Sequence, residues 1–163
     1  MKKIYPLSRL APIVEKLKKE GKRIVLANGC FDLIHVGHIR YLRESKEQGD
    51  ILVVALNSDA SVQQLKGKGR PLMGENERAE ILSAFSFVDY LTFFDEQKVD
   101  EVLVALRPDV HAKGSDYGVD TVPEKDTALR IGTEIAITGG PKVRSTSDLI
   151  AEIAKSEGSE EER

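Results

Sequence analysis

Short apolar runs alternate with helical patterns along most of the chain, and this alternation constrains the fold more than any other feature of the sequence. Strands that are separated by helices indicate a parallel sheet that is covered by helices on both faces. We therefore expect an α/β fold, with a Rossmann-like, doubly wound, five-stranded parallel sheet. The predicted strands are Arg23–Asn28, Ile51–Leu56, Val88–Phe94, Asp109–Ala112 and Glu134–Thr138.

Apolar residues at helical spacing predict helices between these strands and at both ends of the chain. In the first helix, Ser8 is the predicted cap and Gly21 the stop. The other predicted helices are His38–Gln48, Glu75–Phe85, Val99–Leu106, Pro123–Ile131 and a last one from about Ser147 to Lys155.

The length of 163 residues suits a single domain. We expect this domain to cover 1–156, with residues 1–22 as the N-terminal helix and its lead-in. Residues 157–163 are strongly charged, which predicts a short disordered tail.

Charge and composition argue against several classes of protein. The net charge of −3 disfavours nucleic acid as a partner, because no global positive field would hold a polyanion. No apolar run approaches the roughly 18 residues of a membrane span, and Met1–Leu10 lacks the apolar stretch of a signal peptide. A cytoplasmic protein without membrane contact is expected. Cys30 is the only cysteine, and a small buried side chain is favoured over a reactive thiol.

The loop after the first predicted strand carries the strongest functional signal. In a doubly wound sheet, ligands bind beyond the carboxyl ends of the strands, where this loop lies. Its segment His35-Val36-Gly37-His38 precedes a helical pattern. A helix that begins near Gly37 directs unpaired N–H groups and its positive dipole end at an anion, and both histidines can donate to phosphate oxygens. The loop therefore predicts a phosphate site.

Two other interpretations of the histidines stay open from the residues alone. The pair could bind a metal, although no third histidine lies nearby and Asp32 alone would add only one further ligand. The pair could also consist of helix-end residues satisfied by backbone carbonyls, which is favoured for isolated histidines. The strand–loop–helix context and the flanking glycines favour phosphate.

The longer string over 29–38, Gly-Cys-Phe-Asp-Leu-Ile-His-Val-Gly-His, resembles the G-x-F-D-x-x-H-x-G-H signature of the cytidylyltransferase-like nucleotidyltransferases. A bare H-x-G-H also resembles the signature of class I aminoacyl-tRNA synthetases, which are far longer and carry tRNA-binding domains. The resemblance to the nucleotidyltransferases implies that His35 and His38 contact a triphosphate and stabilise the transition state.

Further motifs that are similar to those of the family follow in order. They are a Lys/Gly loop at 65–71, an Asn-Glu-Arg segment at 76–78 and a Ser/Thr motif at 144–147. The resemblance implies a lysine loop that closes over the α-phosphate and a helix end that holds the departing phosphates. Taken alone, these motifs would be interpreted as a flexible connection, a solvated or ion-paired arginine and helix caps.

The resemblance implies three groups of site residues. The catalytic group is His35, His38, Lys66 and Arg144, although Lys66 and Lys68 cannot be ranked. The nucleotide-binding and phosphate-binding group is Gly29, Cys30, Phe31, Gly37, Lys113, Gly114, Asp116, Ser145 and Thr146, and the acceptor-binding group is Asp32, Asn57, Asp59, Lys68, Arg70 and Arg78. No residue is assigned to a metal, because Mg²⁺ is expected to accompany ATP and to be held mainly by phosphates.

Within the family, the chain is similar to the adenylyltransferases of D-glycero-β-D-manno-heptose 1-phosphate. The similarity rests on segments 21–32, 56–62, 69–71, 107–110 and 113–117. It implies that ATP donates AMP to a sugar phosphate, that a separate heptose kinase supplies this acceptor, and that the enzyme is a homodimer. The alternatives are a glycerol 3-phosphate cytidylyltransferase, an FMN adenylyltransferase or, in another class, a non-catalytic nucleotide-binding regulatory module.

Two positions depart from the family pattern. His111 stands where an apolar strand residue is expected, and Ser115 stands where glycine is common. A crevice histidine satisfied by hydrogen bonding is the favoured interpretation of His111, with base or sugar selection as the alternative. Ser115 makes the predicted pocket slightly more polar.

Overall fold

The computed structural model describes residues 2–142 and 144–161. Its strands are separated by helices as the sequence predicted, but two helices and not one lie between the second and third strands. A 3₁₀ turn, Val119–Thr121, precedes the sixth helix. The elements are α1 (Leu7–Lys19), β1 (Ile24–Gly29), α2 (Val36–Glu47), β2 (Ile51–Asn57), α3 (Asp59–Lys66), α4 (Glu75–Ser83), β3 (Tyr90–Phe94), α5 (Asp100–Leu106), β4 (Val110–Gly114), α6 (Lys125–Ile131), β5 (Glu134–Thr138) and α7 (Thr146–Glu161).

The strands form one parallel sheet in the order β3-β2-β1-β4-β5, which confirms the predicted fold class. The strand order reverses between β1 and β4, and the β1–β4 pairing ends at Ala27, before β1 itself ends. The hydroxyl group of Tyr41, from α2, fills the fork between the two strands. It donates to the Ala112 carbonyl at 2.7 Å and accepts from the Asn28 amide at 3.3 Å. Such a fork is where a doubly wound sheet opens a crevice for ligands.

Two apolar layers cover the sheet because alternate residues of a strand face opposite sides. Val25 and Ala27 of β1 pack in the layer that contains residues of α2 and α4. Ile24 and Leu26 pack in the layer that contains residues of α1 and α5. The crevice therefore lies at one edge of a sheet that is buried on both faces.

The sequence pattern does not predict α3, and it places all of 65–71 in a loop. Lys66 is instead the last residue of α3, and the hydroxyl group of Ser58 caps this helix by accepting from the Ser61 amide at 3.3 Å. With 8 residues, α3 has only about two turns, which are too few for its apolar spacing to be recognised.

The terminal helices also differ from their predictions. The first helix begins at Leu7 and not after Ser8, since Pro6 fits the residue that precedes a helix and has no N–H to satisfy. The last helix continues past Lys155 to Glu161, and so takes in residues 157–161 of the predicted disordered tail. Glutamate is a good helix former and no proline interrupts this segment. Residues 162 and 163 lie outside the described residues.

Within residues 2–142 and 144–161, no helix combines the length and the apolar composition that crossing a membrane requires.

Candidate active site

A cleft of about 560 Å³ opens at the carboxyl edge of the sheet, above the fork between β1 and β4. In a chain of net charge −3, the cleft has a local excess of positive groups, which suits an anionic ligand. The charged side chains that line it are Lys66, Arg70, Lys98, Lys113, Lys142 and Arg144 against Asp32, Asp116 and Glu124.

His35 and His38 stack on each other at the N-terminus of α2, with ring centroids 3.9 Å apart. The Nδ1 atom of His35, the N-cap residue, accepts from the Gly37 amide at 3.1 Å. The Nδ1 atom of His38 accepts from the His35 amide at 3.3 Å. Because each Nδ1 is an acceptor, each neutral ring carries its proton on Nε2. Both Nε2–H groups are therefore donors for a ligand in the cleft.

The surroundings of the two rings favour their neutral forms near pH 7. Burial, followed by the charge of His35, lowers the pKa of His38 to about 4. Burial and then the nearby Arg144 guanidinium lower the pKa of His35, while Asp148 acts in the opposite direction. A bound polyanion would raise both pKa values, so the rings can donate hydrogen bonds whether or not they gain a proton.

Two glycines permit the close packing of the rings. A Cβ atom at Gly37 would lie 2.8 Å from Cε1 of His35, and one at Gly29 would lie 3.0 Å from Cε2 of Phe31. Phe31 has a left-handed φ of 49°, and its ring stands edge-on against His38 with centroids 5.2 Å apart. A side chain at either glycine would displace the ring that it meets.

The N-terminus of α7 approaches the same histidines. The Thr146 hydroxyl donates to the Leu33 carbonyl at 3.3 Å. The Ser145 hydroxyl accepts from the Asp148 amide, and the Asp148 carboxylate accepts from the Ser145 amide, both at 3.1 Å. The Thr146 hydroxyl already donates to the protein, so a phosphate would have to replace this contact. The Ser145 hydroxyl only accepts, so its proton can still be donated to a phosphate oxygen.

Arg144 lies at the rim of the cleft. Its Nη1 atom is 3.2 Å from Oε2 of Glu152 on α7, and the two side chains are 49% and 63% exposed. An exposed ion pair of this kind is weak. The guanidinium of Arg144 can therefore exchange Glu152 for a phosphate at little cost.

Residues of α2 hold the loop that leads from β5 to α7. Oε2 of Glu44 accepts from the Gly139 amide at 2.7 Å, and the hydroxyl oxygens of Ser45 and Thr138 lie 2.9 Å apart. A Cβ atom at Gly139 would lie 3.2 Å from Cα of Tyr41. The histidines and the start of the loop that carries Arg144 are thus held in a fixed relation.

Asp32, predicted to bind the acceptor, lines the cleft but is occupied by protein contacts. Its carboxylate accepts from Arg70 Nε at 2.9 Å, from the Leu72 amide at 2.9 Å and from the Met73 amide at 3.0 Å. Burial would raise its pKa, but these hydrogen bonds outweigh burial and lower it. Asp32 therefore fixes the loop of Arg70, while the other nitrogens of Arg70 can serve a ligand.

Arg78 was predicted to bind the acceptor, but it is fully buried and does not line the cleft. It donates to the carbonyl groups of Met73, Cys30 and Asn57 at 3.0, 2.6 and 2.9 Å. Its Nη2 atom lies 2.8 Å from Oδ1 of Asp59. Arg78, from α4, connects the ends of β1 and β2. The sequence could not distinguish this role from ligand binding because both place a positive side chain next to strand ends.

Of the two lysines that the sequence could not rank, Lys66 lines the cleft and Lys68 does not. Gly67 and Gly69 flank Lys68 with φ values of 97° and 86°. Glycine adopts such values without strain, so the glycines allow the sharp turns that lead the chain away from Lys66.

Four polar side chains form a floor cluster: Asn28, His111, Lys113 and Glu124. The Oδ1 atom of Asn28 lies 3.1 Å from Nε2 of His111 and 3.4 Å from Nζ of Lys113. Lys113 Nζ is 3.8 Å from Oε2 of Glu124. His111 is buried and has a hydrogen-bond partner at Nε2, as the favoured interpretation expects, but its Nδ1 atom has none among the described residues, so the ring is satisfied only in part. Burial, and next the charge of Lys113, lower the pKa of His111 to about 3.

The cleft brings together most of the predicted site residues. Asp59, Lys68 and Arg78 are the predicted acceptor-binding residues that do not line it. Those that do are His35, His38, Lys66, Arg144, Gly29, Cys30, Phe31, Gly37, Lys113, Gly114, Asp116, Ser145, Thr146, Asp32, Asn57 and Arg70.

The sequence analysis missed other residues that line the cleft, among them Asn28, Tyr41, Lys98 and Glu124. Asn28 ends the first strand and Lys98 follows the third, so their place at the carboxyl edge was a usable signal. Tyr41 lies within a helix and Glu124 precedes one, and tertiary packing alone brings them to the cleft.

In the part of the chain that the structure describes, no group of three or more His, Cys, Asp or Glu side chains could hold a metal ion. The carboxylates that line the cleft are Asp32, Asp116 and Glu124. Of these, Asp32 accepts hydrogen bonds from Arg70 and from backbone amides. Asp116 and Glu124 each lie next to a lysine ammonium group. This donor set suits a Mg²⁺ ion that takes its oxygen ligands chiefly from a triphosphate and water.

The family model described as cytidylyltransferase-like matches residues 26–140. This match begins within β1 and contains β2 to β5 and the string 29–38 with its two histidines.

Curated relatives match almost the whole chain. The bifunctional protein HldE of Geobacter sulfurreducens is 44% identical over 158 residues, which are 97% of this chain and 32% of the relative. The bifunctional protein HldE of Geobacter metallireducens is 46% identical over the same shares of both chains. The chain thus spans about a third of the length of the curated relatives that it matches.

Solved structures share the fold. The lipopolysaccharide core biosynthesis protein of Thermoplasma volcanium has a TM-score of 0.65 and 30% identity, with 75% of this chain and 100% of that chain covered. The pantoate-beta-alanine ligase of Francisella tularensis has a TM-score of 0.64 at 16% identity, covering 90% of this chain and 69% of its own, so its likeness concerns the fold alone.

Proposed function

Because the chain belongs to the cytidylyltransferase-like family and is a nucleotidyltransferase, we propose that it transfers AMP from ATP to D-glycero-β-D-manno-heptose 1-phosphate, which gives ADP-heptose and pyrophosphate. The observation that carries the proposal is the pair of histidines at the N-terminus of α2. Their two Nε2–H donors serve a cleft with an excess of lysine and arginine side chains, as a triphosphate requires.

The heptose acceptor is the finer part of the proposal. It is supported by the similarity of segments 21–32 and 113–117 to heptose 1-phosphate adenylyltransferases. The likeness to the HldE proteins and to a lipopolysaccharide core biosynthesis protein points the same way.

In the proposed reaction, a phosphate oxygen of the acceptor attacks the α-phosphorus of ATP in line, and the bond from this phosphorus to the bridging oxygen of pyrophosphate breaks. The acceptor phosphate is already ionised near neutral pH, so a general base is not required. Catalysis would come from positioning and from charge stabilisation. No covalent enzyme intermediate is formed.

The residues of the cleft divide this work. Nε2–H of His35 and of His38 would donate to phosphate oxygens of ATP, and these hydrogen bonds would strengthen as charge develops. Arg144 and the N-terminus of α7 would hold the departing pyrophosphate from the other side. Of the two candidate lysines, we assign Lys66, at the end of α3, to the α-phosphate and the acceptor phosphate, since Lys68 is outside the cleft.

Mg²⁺, when bound to the phosphates of ATP, would neutralise part of their charge. The residues described above would then orient the two substrates around the phosphorus. Two associated expectations stay predictions: the enzyme acts in the cytoplasm and forms a homodimer.

The proposal is tested by the release of pyrophosphate with ATP or CTP as donor. The acceptors are the β and α anomers of D-glycero-D-manno-heptose 1-phosphate, glycerol 3-phosphate and FMN. We expect release with ATP and the β anomer. Release only with CTP and glycerol 3-phosphate, or only with ATP and FMN, would replace the proposal by one of the alternatives. Tight binding of ATP without turnover on any acceptor would indicate a regulatory nucleotide-binding module.

A further inference from the structure

We propose that Asn28 and Glu124 bind adjacent hydroxyl groups of a sugar ring at the floor of the cleft, and that His111 positions Asn28 for this role. The inference rests on the proposed function, because it assigns part of the same cleft to one of the two substrates of that reaction.

The orientation of the Asn28 amide follows from its neighbours. The Lys113 ammonium can only donate, so the Asn28 atom that faces it must be the carbonyl oxygen Oδ1. Nε2 of His111 contacts the same oxygen at 3.1 Å, so His111 must carry its proton on Nε2. His111 and Lys113 together turn the amide nitrogen of Asn28 away from themselves.

This amide nitrogen is available to a ligand. In the described part of the chain, no side chain or carbonyl accepts a hydrogen bond from Nδ2 of Asn28, and Asn28 lines the cleft. An amide nitrogen carries two N–H donors and no acceptor. The ligand group that Asn28 binds must therefore offer an oxygen as acceptor.

Glu124 supplies the complementary acceptor. Its Oε1 atom accepts from the Val99 amide at 3.4 Å, whereas its buried Oε2 atom has no hydrogen-bond partner among the described residues. Oε2 lies 3.8 Å from the Lys113 ammonium, and Oδ1 of Asn28 lies 3.4 Å from the same ammonium. The Asn28 amide nitrogen and the Glu124 carboxylate would thus offer a donor and an acceptor to two hydroxyl groups of one ligand, one of which accepts while the other donates.

His111 acts through Asn28 and not on the ligand. It is fully buried and does not line the cleft, and its Nδ1 atom has no hydrogen-bond partner in the described part of the chain. An apolar residue at this position, as expected from the family pattern, would leave Lys113 as the only group holding Oδ1 of Asn28. His111 is thus a positioning residue.

Two sugars could supply the hydroxyl groups: the ribose of the nucleotide or the ring of the acceptor. The test compares wild type with Asn28→Asp, which keeps the accepting oxygen and replaces the donating nitrogen. One arm uses ATP, 2′-deoxy-ATP and 3′-deoxy-ATP. The other arm uses heptose 1-phosphate and its monodeoxy analogues. Gln48→Glu makes the same change from amide to carboxylate on the exposed surface and serves as the control.

We expect wild type to lose roughly 10-fold or more in kcat/KM when the hydroxyl group bound by Asn28 is removed, because a site built for a hydroxyl group rejects the analogue that lacks it. Asn28→Asp should lose a similar factor with the complete substrate and little more with that analogue. In one arm, the loss of kcat/KM for the variant with the deoxy analogue should be smaller than the product of the two single losses, and that arm identifies the sugar that Asn28 binds. Losses that multiply in both arms would overturn the inference.

The role of His111 is tested in the same arm with His111→Gln, whose amide nitrogen can still donate to Asn28, and His111→Met, which cannot donate. We expect His111→Gln to keep the discrimination between complete and deoxy substrate and His111→Met to reduce it. Urea unfolding establishes that both variants fold. Equal discrimination in both variants and wild type would reject the positioning role.

A wild-type enzyme that uses no sugar phosphate would instead reject the proposed function. That result is distinct from losses that multiply in both arms, which can be observed only in an active enzyme.

Discussion

Arg78 and Arg144 are held in opposite ways. Arg78 is fully buried and donates to the carbonyl groups of Met73, Cys30 and Asn57 and to the carboxylate of Asp59. Arg144 is half exposed, and its ion-pair partner is the exposed Glu152 of α7. Both belong to motifs that the sequence predicted to bind a ligand. A charged motif residue therefore supports the fold where it is buried and fully hydrogen-bonded, and it stays available to a ligand where it is weakly paired.

Replacing these arginines should separate stability from binding. Arg78→Met should lower the free energy of unfolding by about 3 kcal/mol or more, because the carbonyl groups of Cys30 and Asn57 would lose their charged donor. Arg144→Met should change it by less than about 0.5 kcal/mol, as exposed substitutions do. Urea unfolding of both variants measures the difference. Similar losses of the free energy of unfolding in the two variants would contradict a structural role for Arg78 and a ligand-binding role for Arg144.

His38→Ala should lower kcat by about 100-fold or more, the scale seen when one transition-state donor is removed. The fold should remain intact, as circular dichroism can verify. Steady-state kinetics with ATP and the acceptor measures the effect. An unchanged kcat would show that Nε2–H of His38 takes no part in stabilising the transition state.

Arg144→Ala should weaken ATP binding roughly 10-fold and also slow turnover, because the guanidinium would contact phosphates in both ground and transition states. Isothermal titration calorimetry measures the affinity, and steady-state kinetics the turnover. A normal ATP affinity in this variant would show that the triphosphate does not bind next to Arg144 and the N-terminus of α7.

The buried side of the cleft should also make stability depend on pH. The folded pKa values of His38 and His111 are about 4 and about 3, below the value of about 6.5 in an unfolded chain. The unfolded state therefore binds more protons below pH 6.5, and stability falls as pH drops from 6.5 towards 4. Each histidine should contribute about 1.4 kcal/mol per pH unit in this window. In urea unfolding at several pH values, the free energy of unfolding of His111→Gln should fall less steeply with decreasing pH than that of wild type. An equal slope in the two proteins would contradict the lowered pKa of His111.

The smallest effect is expected at Glu152. Glu152→Gln would remove the exposed partner of Arg144, so ATP should bind about two-fold to three-fold tighter. Glu157→Gln makes the same change of charge farther along α7 and serves as the control. Equal effects of the two substitutions on ATP affinity would indicate a general effect of charge and no competition for Arg144.

The sequence predicted the sheet well because its strands are buried on both faces and read as apolar runs. It predicted the loop of His35 and His38 because a strand, a glycine-rich turn and a helix start lie within a few residues of one another. It could not assign Arg78, Asp32 or Glu124, since their roles depend on partners that lie far away in the chain. Arg78, for example, contacts Cys30, which is 48 residues away. The short helix α3 was missed for a local reason, its few apolar positions.

Tyr41, Glu44 and Ser45 tie α2 to the sheet fork and to the loop after β5, and this has a consequence for how the enzyme would cycle. A helix anchored at three points cannot slide without breaking buried hydrogen bonds. The motions of a catalytic cycle, on the microsecond to millisecond scale typical of loop closure, would therefore fall on the glycine turn after Lys66 and on the rim that carries Arg144. The histidines would keep their position during the cycle. The rate of turnover would then depend on how quickly the surrounding segments close on the substrates and release the products.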